Sequence, residues 1–337
     1  MPKSRTLANG LVMKIHRRRF LRLAGGAAAL PAVSCVAWAQ AYPARPIRVV
    51  VGFPAGSGVD VVARVMTPLL SERLGQPVVV ENRPGAASNI ATEGVARSAP
   101  DGYTLLWVGP PVAINATLYE KLNFNFLRDI APIGGVNREP NVMLVNPSFP
   151  AKTVPEFIAY AKANPGKISM ASVGNGSVSH VAGELFKMMT GVEMVHVPYR
   201  GGPPAVTDLI GGRVQVLFLT TSAAMAYIKS GQIRVIGVGT ETRSPALPDV
   251  PTVGQSVPGF EASNFYGIGV PRDTPADIVV RLNKELNATL ADPAIIARFS
   301  DLGATTMPSS PAEFGMLVAA ETEKWAKVIR AGSIKPD

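Results

Sequence analysis

The sequence predicts an α/β protein whose mostly parallel sheets are flanked by helices. Three observations carry this reading. Short β-branched runs such as Ile47-Arg48-Val49-Val50-Val51 have the character of strands buried on both faces. Between such runs lie segments with apolar residues at helical spacing. Breaks rich in Gly and Pro separate the two kinds of segment. Strand, helix and strand in alternation imply parallel strands joined by crossover helices.

The elements follow in order. After the run at 47–51, Pro54-Ala55-Gly56-Ser57-Gly58 breaks the chain. Val62, Val65, Met66, Leu69, Leu70 and Leu74 then mark one face of a helix, with Pro68 expected to kink it and Gly75 to end it. Pro77 to Glu81 is a strand, Asn89 to Ser98 a short helix and Tyr103 to Val108 a third strand. The pattern then recurs. Thr153-Val154-Pro155-Glu156 opens a helix that stops at Asn164-Pro165-Gly166. Ile168 to Val173 is a strand, Gly174-Asn175-Gly176-Ser177 a turn and Val178 to Thr190 a helix. Strands are expected at 194–197, 214–219 and 233–239. Helices are expected between Gly202 and Gly211 and from Ser222 to Lys229. Thr274-Pro275-Ala276-Asp277 and Ser310-Pro311-Ala312-Glu313 each offer a capping hydroxyl, a proline and then a carboxylate, which predicts two further helix starts.

The N-terminus has the layout of an export signal. His16-Arg17-Arg18-Arg19-Phe20-Leu21-Arg22 is followed by the apolar run Leu23 to Leu30 and by Ala37-Trp38-Ala39, an A-x-A cleavage site. The apolar run is shorter than the ~20 residues a membrane span needs. The paired arginines resemble a twin-arginine (Tat) address, and Sec export stays open beside it. Residues 1–39 are therefore read as a signal cleaved near Ala39, with the mature chain in the periplasm.

Removing that segment changes the charge. Seven of the 33 basic residues lie in it and none of the 24 acidic ones, so 26 basic residues face 24 acidic ones in the mature chain. No dense basic patch remains, which excludes a nucleic-acid partner on electrostatic grounds. The single cysteine, Cys35, is in the signal, so the mature chain has neither disulfide nor thiol nucleophile. The roughly 300 residues that follow suffice for a core of their own, most simply as two domains.

The candidate site rests on two loops. Phe53-Pro54-Ala55-Gly56-Ser57-Gly58-Val59-Asp60 lies at the carboxyl end of the first strand, where ligands sit in open α/β sheets. Its glycines allow close backbone approach, and the helix N-terminus behind it favours an anion. Phe53 is either a cleft wall or core. Asp60, three residues after Ser57, is a cap, a loop brace or a ligand contact. Gly174-Asn175-Gly176-Ser177-Val178-Ser179-His180 repeats the arrangement. Gly176 would admit the ligand, and Ser177 would cap the helix or offer its hydroxyl. His180 is a structural imidazole or a ligand contact. Ser172 just before this loop, and Thr220 and Thr221 at another strand end, complete the candidates. Arg200 is a surface residue or a cation for the site.

Enzyme readings lack their residues. Gly52, Gly56 and Gly58 do not complete a dinucleotide or phosphate loop, because Val61 stands where the third glycine of G-x-G-x-x-G belongs. No His/Cys/carboxylate cluster has metal-ligand spacing. Ser177 lacks a G-x-S-x-G context. No cofactor or metal is expected.

Three segments resemble the solute-binding proteins of tripartite tricarboxylate transporters, the Bug family. They are the stretch from Tyr42 to Gly109, the stretch from Val173 to Phe218 that contains VGNGSVSHVAGELFKMMTGVEMVHVPYRGGPPAVTDLIGGRVQVLF, and RSPALPDVPTVGQSVPGFEASNFYGIGVPRDTPADIV. Two departures stand out: Ser57 replaces the second glycine of F-P-A-G-G-x-x-D, and Val253-Gly254-Gln255-Ser256 replaces an A-E-x-G context. The resemblance implies a two-lobed periplasmic binding protein fold, type II-like, with the ligand cleft between lobes. Lobe 1 would comprise 42–142 and 265–337, lobe 2 143–264, with hinges near Asn141 and Ser263. It implies a monomer that captures a small organic acid and delivers it to a two-subunit membrane permease. The alternatives are a periplasmic receptor for a signalling system and a periplasmic enzyme.

Overall fold

The computed structural model describes residues 42–336. The export signal, its cleavage point near Ala39 and Cys35 lie outside the described residues. In chain order the first unit is β1 (Ile47–Val51), α1 (Gly58–Leu74), β2 (Val78–Asn82), α2 (Asn89–Ala96) and β3 (Thr104–Val108). Then come α3 (Pro111–Leu118), the single turn α4 (Phe126–Asp129), the long strand β4 (Ile130–Val145) and α5 (Val154–Ala163). A second unit follows: β5 (Ile168–Ser172), α6 (Val178–Thr190), β6 (Met194–Pro198), α7 (Gly202–Ile210) and β7 (Val216–Thr220). The chain closes with α8 (Thr221–Lys229), β8 (Arg234–Val238), β9 (Ser263–Pro271), α9 (Ala276–Leu290), α10 (Pro293–Asp301), the short β10 (Thr305–Thr306) and α11 (Pro311–Ala331).

The two units are built alike. β1 lies between β2 and β3 and runs parallel to both. β5 lies between β6 and β7 in the same way. The middle of the sheet joins them through antiparallel pairs. β9 pairs with β3 and with the first two thirds of β4, from Ile130 to Pro140. From Asn141 to Val145, β4 pairs instead with β7 and β8. One strand thus serves both halves of the sheet and exchanges its neighbours between Pro140 and Asn141.

Local chemistry explains most boundaries. Ser310 forms a complete capping box with Glu313. Thr153 accepts from the Glu156 amide, while Glu156 takes the Lys152 amide. α1 runs through Pro68 as one helix and ends at the left-handed Gly75, as expected. At α9 the predicted cap differs: Pro275 is the N-cap, and Thr274 Oγ1 donates to the Pro271 carbonyl at 2.7 Å. β4 contains Pro132, Gly134, Gly135 and Pro140, which read as breaks in the sequence. The strand survives because its register shifts at Pro132/Gly134 and Gly135/Asn137, where bulges replace the regular ladder.

α6 is fixed to the sheet by aromatic packing. Phe186 is fully buried and its ring lies 6.0 Å from Phe157, 5.9 Å from Phe218 and 6.0 Å from Phe260, all centroid to centroid. Such tilted and edge-on pairs stabilise beyond their buried area. The N-terminus of this helix forms part of the site described next. Phe186→Ala is therefore expected to cost about 3–5 kcal/mol of stability, measured as a lower urea midpoint with an unchanged m-value.

Candidate functional site

The loops after β1 and β5 have the same backbone. Ser57 and Ser177 are the N-caps of α1 and α6, at φ −66, ψ 157 and φ −67, ψ 157. Each serine accepts the amide three residues on, from Asp60 at 3.4 Å and from His180 at 3.2 Å. Each donates its own amide back three residues, to Pro54 and to Gly174, both at 3.2 Å. The glycine before each serine is left-handed, φ +80 at Gly56 and +69 at Gly176. A side chain is strained there, and at Gly176 a Cβ would also run into Leu118 Cδ2.

The preceding glycine amide is then fixed by the side chain four residues ahead. Gly56 N–H donates to Asp60 Oδ2 at 2.8 Å, and Gly176 N–H donates to His180 Nδ1 at 3.2 Å. The two braces differ in charge. Asp60 is buried and receives Arg64 Nε at 2.9 Å and Asn82 Nδ2 at 2.8 Å. The Arg64 hydrogen bond, helped by Gly56 and Asn82 and opposed by burial, lowers its pKa to about 2. His180 is also buried and stacks on His196 with ring centroids 3.6 Å apart. Burial first, then His196 and Lys187, lower its pKa to about 3, so Nδ1 stays an acceptor at neutral pH. Ser172 Oγ lies 2.6 Å from His196 Nε2 and also bonds the Gly174 backbone.

These loops border a cleft of about 400 Å³. Phe53, Val59, Pro110, Pro111 and Ile114 supply apolar wall on one side; Val173, Val178 and Leu219 do so on the other. The polar groups are amides and hydroxyls: Asn115, Asn141, Asn175, Asn264, Ser177, Ser179, Thr220 and Tyr266. No Lys, Arg, Asp or Glu lines it among the described residues. A larger hollow of about 540 Å³ lies between α3, the 119–127 segment and α11, away from the strand ends. In open α/β sheets the strand ends define the binding crevice, which favours the first.

Of the residues singled out in the sequence, Phe53, Gly176, Ser177 and Thr220 border the cleft. Ala55, Gly56 and Gly58 are exposed on the first loop, and Ser57 is half-buried as its cap. Asp60 and His180 lie beneath their loops as braces. Ser172 and Thr221 are buried, Thr221 with its hydroxyl on the Pro140 carbonyl at 3.1 Å. Sequence reasoning missed Asn115, Asn141, Asn264 and Tyr266. It also missed the turn after β2, where Ala86, Ala87 and Ser88 are all left-handed at φ 46, 48 and 72. This strained geometry brings Ala87 to the cleft and its carbonyl to Asn115 Nδ2 at 2.8 Å.

The chain has the two-lobed fold of the periplasmic binding proteins, a class of solute-binding proteins: the periplasmic binding protein BugD superimposes with a TM-score of 0.74 at 34% identity, covering 88% of this chain and 100% of that one. Within that class, residues 62–334 match the model of the tripartite tricarboxylate transporter family receptor, and the chain belongs to that family. It is 36% identical to Protein BugT of Bordetella pertussis over 324 residues, covering 95% of this chain and 99% of that protein. An R. palustris protein solved with adipate superimposes with a TM-score of 0.77 at 34% identity, covering 88% of this chain and 100% of that one. MatC of Rhodopseudomonas palustris, with bound malate, gives 0.73 at 31% identity, covering 86% and 100%.

The neutral brace has a measurable signature. His180 titrates near 6.5 when unfolded and near 3 when folded, so unfolding takes up a proton between these values. Stability conferred by the neutral ring is complete above pH 6.5 and is lost as pH falls toward 3, on the order of 1 kcal/mol per pH unit. Denaturation of wild type and His180→Asn from pH 7 to 4 should show the steeper decline in wild type. Parallel pH profiles would contradict a neutral buried His180.

Proposed function

We propose that the protein is exported to the periplasm, captures a small organic acid in the cleft between its lobes and delivers it to a two-subunit membrane permease. The observation that carries this reading is the pair of like-built loops, each ending a strand and opening a long helix. The 17-residue α1 and the 13-residue α6 both begin at the site. Their first-turn N–H groups have no intrahelical acceptor, and their dipoles favour a carboxylate without a lysine or arginine. The adipate and malate held by structural relatives agree with that chemistry.

In this reading 42–142 with 265–337 form one lobe and 143–264 the other. The lobes close by bending where β4 and β9 cross, near Asn141 and Ser263. Closure would expel water and strengthen the hydrogen bonds to the acid. Phe53, Gly176, Ser177 and Thr220 touch the ligand, with backbone N–H groups of the two loops holding its carboxylate. Asp60 and His180 act through the loops they brace. Among the described residues no helix is long and apolar enough to cross a membrane.

The mature protein should show a raised melting temperature with at least one acid in a panel of aliphatic and aromatic carboxylates. An acid present at 100 times its dissociation constant stabilises by about 2.7 kcal/mol. Its methyl ester or amide should not. A flat response to the whole panel, or equal response to esters, would overturn the organic-acid assignment.

Export has its own test. Protein recovered from the periplasm should begin at Gln40 or Ala41 on N-terminal sequencing. A chain retaining Arg17 to Arg19 would contradict cleavage near Ala39.

A further inference from the structure

We propose that Asn141 is a ligand-recognising residue of the cleft, whose side-chain amide donates to an oxygen of the bound acid and thereby helps to set which acid is accepted. This inference rests on the organic-acid reading above. It adds a residue that neither loop contains.

Asn141 is 2% exposed and lines the cleft. Its Nδ2 is buried and meets no acceptor among the described residues. Buried amide donors are nearly always paired, because an unmade bond leaves the desolvation of the group uncompensated. The side chain cannot be relieved by moving its backbone. The Asn141 carbonyl accepts from Gly239 N–H at 2.7 Å, and its own N–H donates to the Ala262 carbonyl at 3.3 Å. It also stands in register opposite Thr220 on β7. An unpaired donor on a clamped backbone, in a residue that lines a cavity, needs only a small side-chain rotation to meet an acceptor brought from outside.

Position gives the donor its role. Asn141 is the first residue of β4 to leave β9 and join β7, so it sits at the junction of the two halves of the sheet. Asn264 and Thr220, on the strands beside it, line the same cleft. Asn137 on the same strand also has an unpaired amide, but it is fully buried and does not border the cleft. Asn141 is the one of the two that a ligand can reach. A neutral donor selects by the placement of an acceptor oxygen rather than by net charge. The acceptor is a carboxylate oxygen or a hydroxyl or carbonyl oxygen on the body of the acid.

Calorimetry with adipate, L-malate, succinate and benzoate on wild type, Asn141→Asp and Asn141→Leu tests this. Asn141→Asp keeps the shape and replaces the donor by an acceptor. Asn141→Leu removes the unpaired amide. For each acid that binds wild type through this donor, both variants should bind about ten- to a hundredfold more weakly. Without acid, Asn141→Leu should melt at or above the wild-type temperature, because it no longer buries an unpaired donor. A loss confined to malate assigns the acceptor to the hydroxyl, and a loss shared with succinate and adipate assigns it to a carboxylate. Wild-type affinity in both variants would overturn the proposal while leaving the organic-acid reading intact. So would a melting temperature well below wild type in both, which would make Asn141 a structural residue. Binding of none of the four acids to wild type would count against the organic-acid reading itself, and this inference would fall with it.

Discussion

Strand β4 belongs to both halves of the sheet, and the rest of the structure depends on that sharing. Its first part pairs with β9 and its last part with β7 and β8. Polar residues are buried along this strand as it approaches the change of neighbours: Asn137, Glu139 and Asn141. Glu139 is used as a cap. Its Oε1 accepts from the Ser222 amide at 2.9 Å, at the start of α8, whose own N-cap Thr220 makes no side-chain cap. Burial pushes the Glu139 pKa up, and the Ser222 hydrogen bond opposes that. Thr221 binds the next carbonyl of the same strand. α8 is thereby tied to the crossing strand, and the strand ends that form the cleft floor are fixed together.

On that frame the two loops are one solution used twice. Serine caps the helix, glycine turns the chain, and a side chain four residues ahead holds the glycine amide. An aspartate does this in the first loop and a histidine in the second. Both satisfy the same need, an acceptor for one N–H, by different electrostatic means. The aspartate requires Arg64 and Asn82 around it. The histidine requires only that it stay neutral, which burial against His196 ensures. Neither brace needs to reach the ligand for the loop geometry to depend on it.

The parts of this arrangement that are local were readable in the sequence. β-branched runs, helical periodicity and serine caps mark both parallel units and both loops within one or two residues of their observed bounds. The spacing of Ser57 and Asp60 pointed to a cap, a brace or a ligand contact; in the structure Ser57 caps the helix and Asp60 holds the Gly56 amide. What could not be read is non-local. β4 and β9 carry prolines and glycines that argue against strands, and only their pairing across more than a hundred residues makes them so. The left-handed run Ala86 to Ser88 contradicts the preference of each residue and exists because tertiary contacts hold it. Asn115 and Asn141 lie outside the family-like segments, and Asn264 and Tyr266 lie inside one without any local pattern that marks them as site residues. Their place at the cleft follows from the topology, which brings their strands and helix to the ends of β1 and β5.

The uncharged lining of the cleft has a kinetic consequence. The potential of a dipole falls off faster with distance than that of a charge, so amides and helix ends attract an anion only at close range. Long-range steering, which accelerates association at low ionic strength in charged clefts, has no source in this lining. Any salt dependence of capture must therefore come from charges elsewhere on the molecule, such as the Asp60–Arg64 pair beneath the first loop. Differences among acids would then reside in how slowly each one leaves.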